Sequence, residues 1–187
     1  MIELALLRHG HTPWNRDGRL QGRTDIPLDP EARATLEGLR LPSEWQGASL
    51  WSSPLARAVE TARIVSGRPP RTDDRLIEMN WGDWEGKKRE DLFADPAIDY
   101  RHIDTWGWHY TPPNGESPAT MKTRLLSWVQ ELDGQNIAVC HIGVMRVLLA
   151  LAHDWNFDGP APFTIKRNRL YVLRVSGNSW SALAEPV

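Results

Sequence analysis

Three short, largely apolar runs, residues 2–7, 49–51 and 137–140, constrain this chain more than anything else in it. Each is continuous rather than alternating, the pattern of a strand covered on both faces. Helical periodicities separate them. Residues 54–65 set Leu55, Ala58, Val59, Ala62 and Val65 three and four positions apart, and residues 118–132 do the same with Met121, Leu125, Trp128, Val129 and Leu132. Asp29-Pro30, Ser53-Pro54 and Ser117-Pro118 each place an N-cap acceptor before a proline at the first helical position. Strand and helix in alternation predict an α/β fold, a three-layer α/β/α arrangement around a mostly parallel sheet. Residues 170–175 and 180–184, joined across Gly177-Asn178, predict an antiparallel hairpin at the sheet edge.

The 187 residues suit a single domain spanning 1–187. A Trp-, Pro- and Gly-rich stretch at about 80–115 reads as an irregular or helical insertion over the active-site end of the sheet. A net charge of −2 gives no support to nucleic-acid or membrane-surface partners, which draw on a basic excess. Cys140 is the sole cysteine, which leaves no intrachain disulfide and no cysteine-rich zinc site. The first residues show no basic leader, and residues 144–152 are interrupted by Arg146, so no bilayer span is expected. The expected location is the cytoplasm, and the expected assembly a monomer or homodimer.

The residues just past each strand point to the chemistry. The first strand runs into Arg8-His9-Gly10, the second into Ser52-Ser53-Pro54 and then Arg57, the third into His141. Ligands of open α/β sheets sit beyond the carboxyl ends of the strands, so two arginines and two histidines should meet in one crevice. Guanidinium forks bind phosphate in bidentate fashion, and an imidazole can donate to it or attack phosphorus. Arg57 should lie about one turn into a helix, near the positive end of the dipole, where a bound anion would relieve the conflict. A rival reading makes His9, His11 and His141 ligands of a metal ion. Against it, Arg8 and Arg57 would crowd a dication, with no acid in the strand-end motifs to compensate.

Six blocks, in order, are similar to the histidine phosphatase superfamily, also called the phosphoglycerate mutase-like family. They are Arg8-His9-Gly10-His11-Thr12-Pro13-Trp14-Asn15, Gln21-Gly22-Arg23-Thr24-Asp25, Ser52-Ser53-Pro54-Leu55-Ala56-Arg57, Leu76-Ile77-Glu78, Gly115-Glu116-Ser117 and His141-Ile142-Gly143-Val144-Met145-Arg146. The resemblance implies a metal-independent, cofactor-free phosphatase whose partner is a small-molecule phosphomonoester. It makes His9 the nucleophile, with Arg8, Arg57 and His141 gripping the non-bridging oxygens. Asn15, Gln21 and Gly22 would add to the phosphate site. Glu78 would protonate the leaving oxygen and then activate water; Asp73, Asp83 and Glu85 are substitutes for it. Glu116 fits its block but is explained equally by the start of a helix. Trp81, Trp84, Trp106 and Trp108 would either line the pocket or pack the insertion onto the sheet.

Two departures bear on the activity. Mutases of the family follow the acid with Arg-His-Tyr-Gly, and here Glu78 is followed by Met79-Asn80-Trp81-Gly82. That favours hydrolysis over a phosphoglycerate mutase-type transfer, with a non-catalytic phosphate-binding module as a further alternative. Family members usually carry Gly after the second histidine; Ile142 should narrow the pocket or shift the start of the next helix. The second block most resembles the alpha-ribazole phosphatases, while sugar phosphates, phosphoglycerate, nucleotides and phosphoproteins remain substrate classes of the same core motifs.

Overall fold

A computed structural model describes residues 1–184 and 186. Its strands are β1 (Ile2–Arg8), β2 (Ser49–Ser52), β3 (Arg71–Thr72), β4 (Gln135–Cys140), β5 (Leu170–Ser176) and β6 (Ser179–Ala182). The helices are α1 (Pro13–Arg16), α2 (Pro30–Glu37), α3 (Ala56–Ser66), α4 (Arg89–Ala94), α5 (Pro118–Val129) and α6 (Ile142–His153). One sheet runs β3-β2-β4-β1-β5-β6. β1, β2, β3 and β4 pair in parallel, and β5 and β6 add an antiparallel edge. The expected mostly parallel sheet is what forms. β3, two exposed polar residues on the opposite edge, had no apolar signal to show it.

Side chains of β1 alternate between two apolar layers, as a period of two requires. Leu4 and Leu6 join residues of α5 and α6, among them Met121, Leu125, Trp128, Val144 and Leu148. Ala5 and Leu7 face Leu36 of α2 and Ala58, Ala62 and Val65 of α3. The sheet therefore lies between helical layers. Each fully buried large aliphatic side chain contributes about 1.5–3 kcal/mol, and this double burial fixes the register of the central strands. Trp84, Leu92, Ile103 and Trp106, from the stretch read as an insertion, join the α5–α6 layer, so that stretch packs on the shared core. Residues 144–152 lie within α6, and no described helix is long and apolar enough to cross a membrane.

The Asp29 and Ser117 caps form as expected, accepting from Ala32 N and Thr120 N. The Ser53 cap does not. α3 starts at Ala56, and its free Ala56 N–H is met by Asp25 Oδ1 at 2.9 Å from another loop. Ser53 Oγ instead accepts from Leu55 N and pairs with His141. Arg57 is consequently the second residue of the helix rather than one turn in. The hairpin turns at Gly177 (φ 57°), and β6 ends at Ala182, two residues before the expected limit.

Parallel register brings the strand ends level. Arg8 is opposite Cys140, and Ser52 is opposite Val139. One residue further on, His9 N donates to Cys140 O and Ser53 N to Val139 O. His9, Ser53 and His141 thus emerge side by side at the carboxyl edge.

Candidate active site

His9 is buried, 3% exposed, and nearly all of its polar atoms are spoken for. Its N–H bonds Cys140 O, its carbonyl accepts from Arg167 Nε at 3.1 Å, and its Nδ1 lies 2.6 Å from Gly10 O. A carbonyl only accepts, so Nδ1 carries the proton and Nε2 keeps its lone pair. Burial, then the charges of Arg57, Arg8 and Arg167, hold the His9 pKa well below its ordinary value. His9 is therefore a neutral imidazole with one unengaged nitrogen. Gly10 is held in turn: its N–H bonds Thr61 Oγ1 on α3, and any side chain there would press on Leu28 and Leu36.

A cleft of about 220 Å³ opens over His9. Arg8, Asn15, Gln21, Arg57 and Glu78 line it, as do Trp81, Tyr100, Ile142, Arg19, Arg89 and Arg146. The Arg57 fork donates to Gly22 O and Thr24 O, each at 2.8 Å, which offsets its place at the positive end of α3. The Nε atoms of Arg8 and Arg57 are buried with no partner among the described residues. Such orphaned donors cost about 1–3 kcal/mol each, more when charged. Burial lowers Arg8 to about 10, so it stays cationic at neutral pH.

Glu78, 6% exposed, meets the chain at the start of α6. Its carboxylate accepts from Met79 N at 2.8 Å and from Gly143 N at 3.1 Å. Burial pushes its pKa up against those bonds and the charges of Arg57 and Arg8. The acids read as its substitutes are engaged elsewhere: Glu85 with Arg23 N and Thr24, Asp83 with Asn114, and Asp73 with Arg75. Glu116 pairs with Arg124 and Arg23, both of which reach the Glu78 carbonyl. It braces the loop that presents Glu78.

His141 is fully buried, its ring 5.0 Å from that of His9. Burial and the charge of Arg57 hold it neutral as well. It does not line the cleft: Nε2 is 2.7 Å from Ser53 Oγ, and Nδ1 has no partner among the described residues. Gly22 also stays out of the cleft. Its φ of 54° and its closeness to Glu85 require glycine, and its carbonyl serves Arg57. Ile142 opens α6 directly after His141 and lines the cleft. Of the tryptophans, Trp81 lines the cleft, Trp84 and Trp106 are buried, and Trp108 meets Phe157 edge to face.

His11 turns from the other two imidazoles toward Arg167, and no group of three His, Cys, Asp or Glu among the described residues is placed to hold a metal ion. Sequence reading missed Arg19, Arg89, Tyr100, Arg146 and Arg167. A signal existed for Arg167. It lies three residues before β5, which runs antiparallel to β1 with Leu170 opposite Leu7, so residues ahead of β5 must return to the level of His9.

The site sits in a chain with known relatives. Residues 4–185 match the model of the histidine phosphatase superfamily, branch 1. The chain is 34% identical to the adenosylcobalamin/alpha-ribazole phosphatase of Escherichia coli, over 97% of this chain and 89% of that protein. It is 32% identical to the glucosyl-3-phosphoglycerate phosphatase of Mycolicibacterium vanbaalenii, over 80% and 68%. The structure of a phosphoglycerate mutase from Thermus thermophilus superimposes with a TM-score of 0.76 at 33% identity, covering 99% of this chain and 98% of that one. These likenesses support a phosphatase at the level of the family. The chain belongs to the histidine phosphatase superfamily, branch 1.

Proposed function

We propose that the protein is a metal-independent phosphomonoesterase working through a phosphohistidine on His9. The observation that carries this reading is His9 itself, neutral, with Nε2 unengaged, beside two arginines whose buried Nε atoms lack partners among the described residues. The Nε2 lone pair attacks phosphorus as the bond from phosphorus to the leaving oxygen breaks. Glu78, its pKa raised by burial, delivers its proton to that oxygen. Water then attacks phosphorus, the N–P bond breaks, Glu78 takes the proton from water, and phosphate leaves. Arg8 and Arg57 stabilise the negative charge in both steps, which leaves no step that requires a metal. His141 acts from behind His9, and Asn15 and Gln21 complete the phosphate site; Gly22 contributes through Arg57.

Beyond the phosphate site, Arg89 and Arg146 line the same cleft with Tyr100, and neither makes an ion pair among the described residues. Burial lowers Arg146, and the charge of Asp104 offsets part of that. Cations so placed favour a small metabolite with a second acidic group, such as a phosphoglycerate, over alpha-ribazole 5'-phosphate, and the two relatives' names mark the same choice. Hydrolysis of both substrates in EDTA tests the reading, with Arg146→Leu beside the wild type. The expected result is a preference for the phosphoglycerate class that Arg146→Leu weakens through KM. Turnover that needs added metal would refute the mechanism, and a preference for alpha-ribazole 5'-phosphate would refute the substrate class.

A further inference from the structure

Arg167 reaches three residues of the site from outside the blocks that carry the family likeness. Nε donates to the His9 carbonyl at 3.1 Å and Nη2 to Asn15 Oδ1 at 3.0 Å, while Nη1 is 3.0 Å from His11 Nε2. A guanidinium has no acceptor, so the last contact requires an unprotonated His11 Nε2. Asn15 Oδ1 also accepts from Thr12 N at 3.2 Å. With its oxygen held by two donors, the Asn15 amide can present only its NH2 to a ligand. Asp29, which offsets part of the Arg167 charge, is itself bonded to Arg16.

We propose that Arg167 is a positioning residue for phosphoryl transfer: it fixes the main chain of His9 and turns the Asn15 amide so that His9 Nε2 and Asn15 Nδ2 face one phosphate. This rests on His9 being the nucleophile. The alternative, an arginine that only fastens the segment before β5 to the core, predicts no change in the nucleophile itself. Arg167 differs from such a fastener in two ways. Its fork spans acceptors on both sides of the His9–Asn15 turn, and its charge adds to those of Arg8 and Arg57 in keeping His9 neutral. His141 packs against that imidazole and Glu78 lines the same cleft, and neither bonds Arg167 among the described residues.

The test compares Arg167→Met and Arg167→Lys, with Arg169→Met, an exposed neighbour, as control. The readouts are kcat, inhibition by inorganic phosphate, the pH profile of kcat/KM and the thermal midpoint. For Arg167→Met, kcat should fall about a hundredfold, the scale of an ångström misplacement. Phosphate inhibition should weaken. The acid limb should move to higher pH, because losing a nearby cation raises the His9 pKa and protonates it sooner. Arg167→Lys should restore the acid limb but not kcat, since one ammonium cannot span three acceptors. Wild-type kcat in the lysine variant would overturn the proposal even if the methionine variant failed to fold. So would activity that falls only with the folded fraction while the acid limb stays still. His9→Ala runs beside these: turnover surviving it overturns the nucleophile and this proposal together, whereas turnover lost with His9 but indifferent to Arg167 overturns this proposal alone.

Discussion

Glu78 combines burial with two main-chain donors, and its two functions give different predictions. As a general acid it matters most for a poor leaving group. Glu78→Gln should slow the first step, read as the release of the leaving group in a single turnover, by on the order of 10²- to 10⁴-fold for an alkyl phosphate, yet barely affect that step for p-nitrophenyl phosphate, whose leaving group needs little protonation. Equal loss on both would contradict the acid assignment. As a buried carboxyl with a raised pKa, it binds its proton more tightly folded than unfolded. Deprotonation as pH rises through that pKa therefore costs stability. Glu78→Gln should gain on the wild type as pH climbs above the ordinary carboxylate range, and the gain should vanish below it; urea unfolding over a pH series would show this. The neighbouring Gly143 is as closely fitted. A methyl group there would overlap Glu78 Oε1, so Gly143→Ala should lower kcat by about a hundredfold and cost about 1–3 kcal/mol of stability.

Helix starts decide which groups face the cleft. Asp29 caps α2 through Ala32 N at 2.7 Å and bonds Arg16 at 2.6 Å. Asp29→Ala should cost about 1–2 kcal/mol, read as a fall of about 2–8 °C in thermal midpoint, with little effect on KM. This cap and the one at Ser117 were legible because the acceptor and the proline are adjacent in sequence. The α3 cap was not, because its acceptor, Asp25, comes from a distant loop. The same division runs through the site. Arg8, His9, Arg57 and His141 could be read because each lies at the end of a strand, just past one or at the start of a helix, so local pattern placed them. Arg89 and Tyr100 carry no such local signature, and only tertiary packing brings them to the site, while Arg167 could be placed only through the antiparallel register of β5 on β1. His141 shows the limit within a readable block: its place at a strand end was legible, but not its bond to Ser53 behind His9.

Across the whole molecule, the carboxyl edge gathers buried cations whose Nε donors have no partner among the described residues, and an anion should stabilise it. At a hundredfold excess over its Kd, inorganic phosphate should add about 2.7 kcal/mol of stability to the wild type. Arg8→Met should abolish that gain, as measured by thermal unfolding with and without phosphate. The most direct test of the central claim is to quench the enzyme in base during turnover, where phosphohistidine survives, and to map the phosphoryl group by mass spectrometry. The account predicts one phosphoryl group on the His9 peptide, absent in His9→Ala. A wild-type enzyme that turns over rapidly with no phosphoryl group on His9, or with one on another residue, would contradict it.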